Sequence, residues 1–504
     1  MRRIVVAIAV LAAAVVAGAA SSGVFTPTAP SVASKPSPFP AGCEGVPQSG
    51  TLYENAEVEP RVAVDPANPL HIVGVFQQDR WSNGGSHGLV TSTSFDGGAT
   101  WAESWAHFSI CAGGNVANGG DFQRASDPWV TFSPNGVVHQ IALSFNDTNA
   151  DNAILASRST TGGTTWSEPI TLQRENRGSG SLFVDKESIT ADPFDPNFVY
   201  AVWDRSTFPS DSVSFTALAH TFALRSQTVF ARTTNGGLSW EPARPIFDER
   251  RAISFTIGNQ IAVVPSGGSV PTLVNAMWLF HGSGVQRSCC DVAVLRSTNR
   301  GVTWSSPIEV SDVDTVGVVD PDTGHAVRTE DIIPDIAAGV TSGRVYAVWQ
   351  DGSFSGPPTA KEHAGIAFSQ SLDGGQTWSK KIEINQMPAT QAFTPSVAVA
   401  ADGTVGVTYY DFRNNTSAPG LPTDYWFVHC HAATQDCANP DNWSSDSHVA
   451  GPFDMETAPD ANGYFVGDYE GLARARNSFV AFFAMANDGN LANRTDIFES
   501  TLNP

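Results

Sequence analysis

A short turn motif recurs along the chain and restricts the possible folds more than any other feature of the sequence. It reads SFDGGATW at residues 94–101, and its copies are separated by 65, 74, 64, 74 and 65 residues, measured between successive tryptophans. The tryptophans that mark the copies are Trp101, Trp166, Trp240, Trp304, Trp378 and, in a degenerate copy, Trp443. A recurring period of this kind indicates one structural unit repeated many times.

The residue types of the motif predict a tight turn between two strands. An Asp or Asn at the third position accepts hydrogen bonds from backbone N–H groups that follow it. The glycines supply positive φ angles, and the tryptophan anchors the turn on the core. We interpret the motif as scaffold, which joins the third and fourth strands of each unit and lies opposite the loops between strands two and three.

Each motif belongs to a longer unit of alternating apolar residues, such as PRVAVDPANPLHIVGVFQQDRW followed by HGLVTSTS. Seven such starts occur, and each predicts three strands before the turn and one after it. The sequence therefore predicts an all-β chain, a β-propeller of four-stranded antiparallel blades. We expect seven blades, with six as the alternative if one unit is incomplete. The last unit lacks a fourth strand, which the segment near SGTLYENAEV is expected to supply.

The two ends of the chain differ in character. Residues 1–22 combine two arginines, an apolar run and a small-residue cleavage pattern, which predicts a secretory signal peptide. Residues 23–50 are rich in Pro, Ser and Ala and predict a linker. Residues 51–504 then form a single propeller domain. We expect a secreted, extracellular monomer without membrane insertion after the signal is cleaved.

The formal net charge of −22 bears on possible partners. It argues against nucleic acid and against anionic membranes. An anionic substrate would need a local basic patch to offset this charge. A glycan or polysaccharide is the partner that we expect.

Six cysteines fit an oxidising compartment. Cys430 and Cys437 are close enough to bridge one hairpin, and Cys43 with Cys111 could tie the N-terminal segment to the first repeat. The adjacent Cys289 and Cys290 either form a vicinal bridge or stay reduced.

No cysteine has zinc-site spacing, and the sequence predicts neither a metal site nor a required cofactor. Calcium is the one ion left open, in an acidic loop that is otherwise expected to be solvated. Its carboxylates are Asp312, Asp314, Asp320 and Asp322.

Charged residues recur on the face that the turn motifs leave free. The ends of the second strands carry Asp79, Asp147, Asp204, Asp351 and Asp411, with Arg80, Arg205 and Arg413 beside three of them. The starts of the first strands carry Glu59, Arg61, Asp127, Lys186, Glu187, Asp335, Asp468, Tyr469 and Glu470. Such pairs either bind an acidic ligand through Arg and protonate it through a carboxylic acid, or they are structural ion pairs.

The repeated S-x-D-G-G-x-T-W turn resembles that of the sialidase-like superfamily of Asp-box proteins over about residues 55–504. The resemblance implies an arginine triad for a sugar carboxylate, and we place its first arginine at Arg61, with Arg205 and Arg413 as the other candidates. It implies a Tyr–Glu nucleophile at Tyr469 and Glu470 and an acid carboxylate, for which the candidate is Asp79. Arg80, Asp204 and Asp411 complete the predicted substrate-binding set.

Three functional hypotheses follow from the sequence. The first is a secreted glycoside hydrolase of exo-α-sialidase type that acts on terminal acidic sugars. The second is a non-catalytic extracellular propeller that binds glycan or protein. The third is another polysaccharide-active enzyme on the same scaffold.

Overall fold

In the computed structural model of the chain, the structure describes residues 24–175, 181–208, 225–248, 254–281, 290–355 and 363–504. The predicted signal peptide lies outside these residues. Within these ranges the chain is almost entirely β-strand, with two short 3₁₀ turns at Pro440–Asn442 and Met455–Thr457. No helix in the described ranges combines the length and apolar character that crossing a membrane requires.

The strands form two short N-terminal elements followed by seven antiparallel groups in the described parts of the chain, here called units 1 to 7. The N-terminal strands are β1 (Thr26–Pro27) and β2 (Ser31–Val32). Unit 1 contains β3 (Leu52–Val64), β4 (Ile72–Trp81), β5 (Ser86–Ser94) and β6 (Ala102–Ser104). Unit 2 contains β7 (Arg124–Phe132), β8 (Val138–Phe145), β9 (Asn152–Ser159) and β10 (Ile170–Glu175). Unit 3 contains β11 (Ser181–Ala191), β12 (Val199–Phe208), β13 (Arg225–Thr233) and β14 (Arg244–Phe247).

The second half of the chain repeats this pattern. Unit 4 contains β15 (Ser254–Val264), β16 (Thr272–His281), β17 (Cys290–Ser297) and β18 (Ile308–Asp312). The small hairpin of β19 (Val318–Val319) and β20 (Ala326–Val327) follows it. Unit 5 contains β21 (Asp335–Ala338), β22 (Val345–Asp351), β23 (Gly365–Ser371) and β24 (Ile382–Glu383). Unit 6 contains β25 (Ala392–Val399), β26 (Thr404–Asp411), β27 (Pro422–His431) and β28 (Ser447–Asp454). Unit 7 contains β29 (Gly471–Ala475), β30 (Ser478–Ala486) and β31 (Thr495–Asn503).

The first strands of the units meet around a common axis. In chain order β3, β7, β11, β15, β21, β25 and β29 each contact the next, and β29 contacts β3 again. The contacts therefore close a ring, and the apolar faces of neighbouring units pack against each other between the strands. One such layer buries Trp203 and Ile189 of unit 3 against Leu143 of unit 2.

The repeated turn adopts the conformation that its residues predict. Asp96 Oδ1 accepts from the Thr100 N–H at 2.9 Å, and Asp96 Oδ2 accepts from the Thr100 hydroxyl at 2.6 Å. The Ser94 hydroxyl accepts from the N–H of Gly98, whose φ is +88°. Asp373 and Thr377 repeat the same pair of contacts in unit 5.

An arginine of one unit also binds the turn of the next unit, which is how the turns tie neighbouring units together. Each arginine lies on a third strand and donates to a backbone carbonyl of the following turn. The pairs are Arg158 to Gly236 at 3.1 Å, Arg232 to Arg300 at 2.6 Å and Arg296 to Gly374 at 2.6 Å.

The N-terminal segment corrects two expectations. Residues 24–50 are not a free linker, because β1 and β2 pair antiparallel with β31 and supply the missing outer strand of unit 7. The segment near SGTLYENAEV does not supply that strand, because Leu52–Val64 is the innermost strand of unit 1. The ring is closed by the N-terminus as expected, but by residues lying some twenty positions earlier in the sequence.

Two of the predicted disulfides are present. Cys43 bonds to Cys111, with 5.0 Å between their Cα atoms, and fixes the N-terminal segment to unit 1. Cys430 bonds to Cys437 at the end of β27, with a Cα separation of 5.9 Å. Cys289 lies outside the described residues.

The N-terminal segment should contribute measurably to the stability of the protein through Phe25. This ring is 1 % exposed and contacts Phe427 of unit 6 and Phe479 of unit 7 at centroid distances of 5.3 and 5.5 Å. Replacement of Phe25 by Ala should lower the free energy of unfolding by about 3–5 kcal/mol, because it leaves a cavity between two units. Chemical denaturation monitored by tryptophan fluorescence measures the change. The neighbouring Val24→Ala variant is the control, since Val24 is 73 % exposed, and equal stability of the two variants would contradict the assigned packing.

Candidate functional site

A large cavity opens at one end of the ring axis. Its volume is about 1120 Å³, and its wall includes the β4–β5 turn at 82–85, the β8–β9 connection at 145–151 and the inner strand β11. The connection between units 4 and 5 covers part of it through residues 317–319 and 326–331. The turns that join second and third strands line this cavity, so it lies on the face opposite the repeated S-x-D-G-G-x-T-W turns.

A repeated irregularity in the first strands aims charged side chains at the axis. The pairing register shifts twice in β3 and once each in β7, β11, β15 and β25. At the second shift of β3, and at the shift of each other strand, one residue has a positive φ: Glu59 (54°), Asp127 (52°), Lys186 (47°), Gly258 (71°) and Thr394 (51°). These are β-bulges, which bend a strand and redirect its side chains. The backbone strain of the positive φ angles is therefore located where the units converge.

The ammonium group of Lys186 lies among three carboxylates from three other units. Its Nζ is 2.6 Å from Asp468, 3.3 Å from Asp127 and 3.5 Å from Glu59. Burial alone would lower the pKa of Lys186, but these carboxylates outweigh it and the pKa is raised well above its usual range. The side chain therefore stays charged at all ordinary pH values.

Arg328 adds a second cation beside the same carboxylate. It donates to both oxygens of Asp468, from Nε at 3.1 Å and from Nη2 at 2.8 Å, and Nη2 is 3.4 Å from Glu330. Burial would raise the pKa of Asp468, but Arg328 and Lys186 hold it below its usual range. Burial and the charge of Asp468 raise the pKa of Glu330. One cluster thus contains a carboxyl group whose pKa is lowered and another whose pKa is raised.

Asp127 and Asp185 form a second group of carboxylates on the cavity wall. Burial and the adjacent charge of Asp127, which also shares a hydrogen bond with it, raise the pKa of Asp185 well above its usual range. Burial raises the pKa of Glu59 in the same way. Buried groups whose surroundings favour opposite protonation states are the arrangement that acid–base chemistry requires.

Tyr469 lies below this cluster in a cavity of about 10 Å³, which has room for one water molecule. Its hydroxyl has no hydrogen-bond partner among the described residues. Burial and the charge of Glu59 raise the pKa of Tyr469 well above its usual range. Arg61 is its neighbour, with the guanidinium 4.9 Å from the Tyr469 ring and 3.6 Å from the Trp129 ring, and it forms an ion pair with Asp335 at 3.5 Å.

The predicted partner of Tyr469 is directed elsewhere. Glu470 Oε2 accepts from the Ala484 N–H at 3.1 Å, and the neighbouring Tyr410 hydroxyl donates to the Ala484 carbonyl at 2.7 Å. Burial raises the pKa of Glu470 well above its usual range. The structure therefore brings Arg61 and Tyr469 together but does not form the expected Tyr–Glu pair.

Asp79 and Arg80 point in different directions, as adjacent strand residues do. Asp79 is buried against the N-terminal segment, where it accepts from Ser37, from the Asn55 N–H and from His87. It is not among the residues that line the cavity, contrary to its predicted role as the acid. Arg80 does line the cavity, and it donates to Gln77 at 2.7 Å.

The other predicted substrate-binding residues are engaged away from the cavity. Arg205 pairs with Glu175 at 2.6 Å, and Arg413 pairs with Asp411 and Asp446, both at 2.6 Å. None of these residues lines the cavity. Arg205 and Arg413 therefore do not complete an arginine triad with Arg61 in this structure, and the structural ion-pair interpretation describes them.

Asp204 is also a structural group. It joins units 3 and 4 by accepting from Thr256 and Asn259, each at 2.8 Å. Neither it nor its two partners lines the cavity.

Carboxylates of the acidic loop, where the sequence leaves calcium binding open, are engaged by other groups of the protein. Asp320 accepts from the Asp322 N–H at 2.8 Å, and Asp322 accepts from Asn415 at 2.9 Å. Asp312 is 3.4 Å from the ammonium of Lys381. In the described ranges the loop does not gather three potential ligands close enough to share one ion.

The sequence analysis did not single out Arg328, Glu330 or Asp185. The first two lie in the connection between units 4 and 5, in the charged run Arg-Thr-Glu-Asp at 328–331. That run is the sequence feature that could have indicated the site, because charged residues rarely cluster in an otherwise apolar repeat unless they are paired with other charged groups. Asp127 and Lys186 were recognised as axial, but not as an ion pair.

The chain is similar in structure to several known proteins. No family model matches the chain, and no curated protein matches it. Among solved structures, the α-L-arabinanase of Penicillium chrysogenum in complex with arabinobiose is 12% identical, with a TM-score of 0.46 over 94% of this chain and 98% of that one. The α-L-arabinofuranosidase Arb93A of Fusarium graminearum is 11% identical, with a TM-score of 0.47 over 91% and 98%.

A sialidase is found at a similar level. The NanB sialidase of Streptococcus pneumoniae is 14% identical, with a TM-score of 0.41 over 93% of this chain and 71% of that one. Identities and TM-scores this low transfer neither an activity nor a site from these enzymes to this chain.

The structural role of Asp204 predicts a pH-dependent effect on stability. Burial raises the pKa of Asp204 to about 8, whereas an unfolded Asp titrates near about 3.9. Between these values the folded state holds a proton that the unfolded state has released, so this group lowers stability by about 1.4 kcal/mol per pH unit as the pH rises. The Asp204→Asn variant cannot ionise and should gain stability relative to wild type from pH 5 to pH 8.

Thermal unfolding at a series of pH values measures this difference. Asp402→Asn is the control, because Asp402 is exposed, and it should follow the wild type at every pH. A stability difference for Asp204→Asn that does not change with pH would contradict a protonated Asp204.

Proposed function

We propose that the chain is a secreted, glycan-active hydrolase and that the axial cavity is its active site. The seven units are then the blades of one propeller, and the cavity is its mouth. The observation that carries the proposal is the cluster of Lys186, Arg328 and the surrounding carboxylates. The pKa values of its carboxyl groups are shifted in opposite directions. The cluster lies at the wall of a cavity that is large enough for several sugar rings. Two disulfides and the signal-like N-terminus support secretion.

Glu330 is the proposed general acid. It lines the cavity, and its raised pKa favours the protonated form, which can donate a proton to a leaving-group oxygen. Asp127 is the proposed anionic partner, because it also lines the cavity and pairs with the permanent charge of Lys186 at 3.3 Å. In that role it activates a water molecule or stabilises positive charge on the sugar. Asp185, whose pKa is raised well above its usual range, lies beside it.

A panel of neutral, amino-containing, uronic and sialylated oligosaccharides tests the proposal, with reducing-end release as the measurement. Glu330→Gln should reduce kcat on the active substrate by at least about 100-fold, because it removes the acid and preserves the shape. Glu241→Gln is the matched control, since Glu241 lies at the scaffold turn of unit 3 and pairs with Arg232 there. Binding of a glycan without any release would favour the non-catalytic hypothesis, and full activity in Glu330→Gln would contradict the assigned acid.

An exo-sialidase activity is the finer form of the proposal. It is favoured by Arg61, whose Nε and Nη2 lack hydrogen-bond partners within the described residues and which lies beside the Tyr469 ring. In this form Arg61 binds the substrate carboxylate and Tyr469 is the nucleophile, which would require the substrate to reach below the Lys186 cluster. Release of a fluorogenic aryl sialoside by wild type, and its loss in Tyr469→Phe, are the expected results. No release of any sialoside would remove this form and leave the broader proposal standing.

A further inference from the structure

The structure points to a second site in unit 1, formed by residues that do not line the axial cavity. Cys43, Glu44, His87 and Cys111 each place one potential ligand atom so that all four lie within 4.8 Å of one another. The two sulfurs are now joined in the Cys43–Cys111 disulfide. We propose that reduction of this disulfide by a dithiol converts the group into a tetrahedral Zn²⁺ site.

The position of His87 distinguishes this group of four residues from an ordinary disulfide. Its side chain is 1 % exposed, with Nε2 directed at the group, 2.8 Å from Glu44 Oε1 and outside hydrogen-bond geometry. Its other ring nitrogen, Nδ1, is 2.9 Å from Asp79. A histidine that binds zinc through one nitrogen usually donates the other N–H to a carboxylate, which fixes the tautomer.

The carboxylates explain why a cation would be favoured here. Glu44 and Asp79 are 5 % and 1 % exposed and contact the two sides of the same imidazole. Burying two carboxylates against one ring is favourable only with a positive charge between or beside them. Zinc would supply it after reduction.

The ligand set matches the chemistry of zinc. Two thiolates, one imidazole and one carboxylate are four ligands of the types that zinc takes at about 2.0–2.3 Å. Cys43 and Cys111 lie on half-buried loops, so a small dithiol can reach the bond and the sulfurs can separate once it is cut. No ligand belongs to the inner strands, so the metal would replace the disulfide as the link between the N-terminal segment and unit 1.

The conversion balances in atoms and electrons. The dithiol gives two electrons to the S–S bond and closes to its own disulfide, and its two protons pass to the sulfurs of Cys43 and Cys111. Zn²⁺ then displaces those two protons, together with the proton of His87 where it is present. Zinc binding should therefore weaken as the pH falls.

The test uses the full secreted chain, reduced with a dithiol, desalted without oxygen and titrated with Zn²⁺ or Co²⁺. The wild type should bind one equivalent, and its Co²⁺ form should show the visible absorption of a tetrahedral thiolate site. Unreduced protein should bind none. Zinc should also restore thermal stability lost on reduction.

Three variants decide where the metal binds. His87→Gln and the double variant Cys43→Ser/Cys111→Ser should each fail to bind the one equivalent of metal. His107→Gln should still bind it, because His107, on the same loop as Cys111, is partly exposed and pairs with Glu168 instead. If His87→Gln fails to fold by circular dichroism, Glu44→Gln takes its place, with an expected fall in affinity of at least tenfold. Zinc retained by the double variant would place the metal on other cysteines and overturn the proposal, as would absence of binding by reduced wild type.

Discussion

The structure depends on a single ammonium group at the axis of the ring. Lys186 from unit 3 contacts carboxylates of units 1, 2 and 7, and Arg328 from the connection between units 4 and 5 shares one of them. Removing Lys186 would leave the buried carboxylates of Glu59 and Asp127 without the ammonium group that pairs with them, which is more costly than never having placed them there. The same contacts that hold the units together therefore also shift the pKa values of Lys186 and Asp468.

The two faces of the ring divide structure from chemistry. On one face the repeated turns accept arginine hydrogen bonds from the preceding unit, as in the contact of Arg158 with the turn at Gly236. This pattern can repeat because each unit needs the same link to its neighbour. On the other face the units differ, since a bulge carries Glu59, Asp127, Lys186, a glycine or a threonine at corresponding places. Variation at a fixed backbone position is how a repeated scaffold acquires one asymmetric site.

The predicted arginines show the limit of reading side chains by position along a repeat. Arg80 and Arg205 lie near the ends of second strands and Arg413 lies just after one, yet of these three only Arg80 faces the cavity. A strand alternates its side chains between two faces, and a loop residue such as Arg413 turns back to its own unit, where Asp411 and Asp446 hold it. Sequence spacing could not distinguish these cases, because Glu175, which holds Arg205, lies on the outer strand of unit 2, and Asp446, the second partner of Arg413, lies 33 positions further along the chain.

The sequence by itself determined the repeated all-β unit, its antiparallel strands, the turn chemistry and two disulfides, because each of these depends on residues close together or on a period that recurs. It also indicated the face on which charged first-strand residues converge. Only the tertiary structure decided that residues 26–32 close the last unit, that Glu470 turns away from Tyr469, and that Arg328 and Glu330 join Lys186 at the axis. These outcomes depend on contacts between residues far apart along the chain. The burial and the charge contacts that shift the pKa values of these groups exist only once the ring has closed.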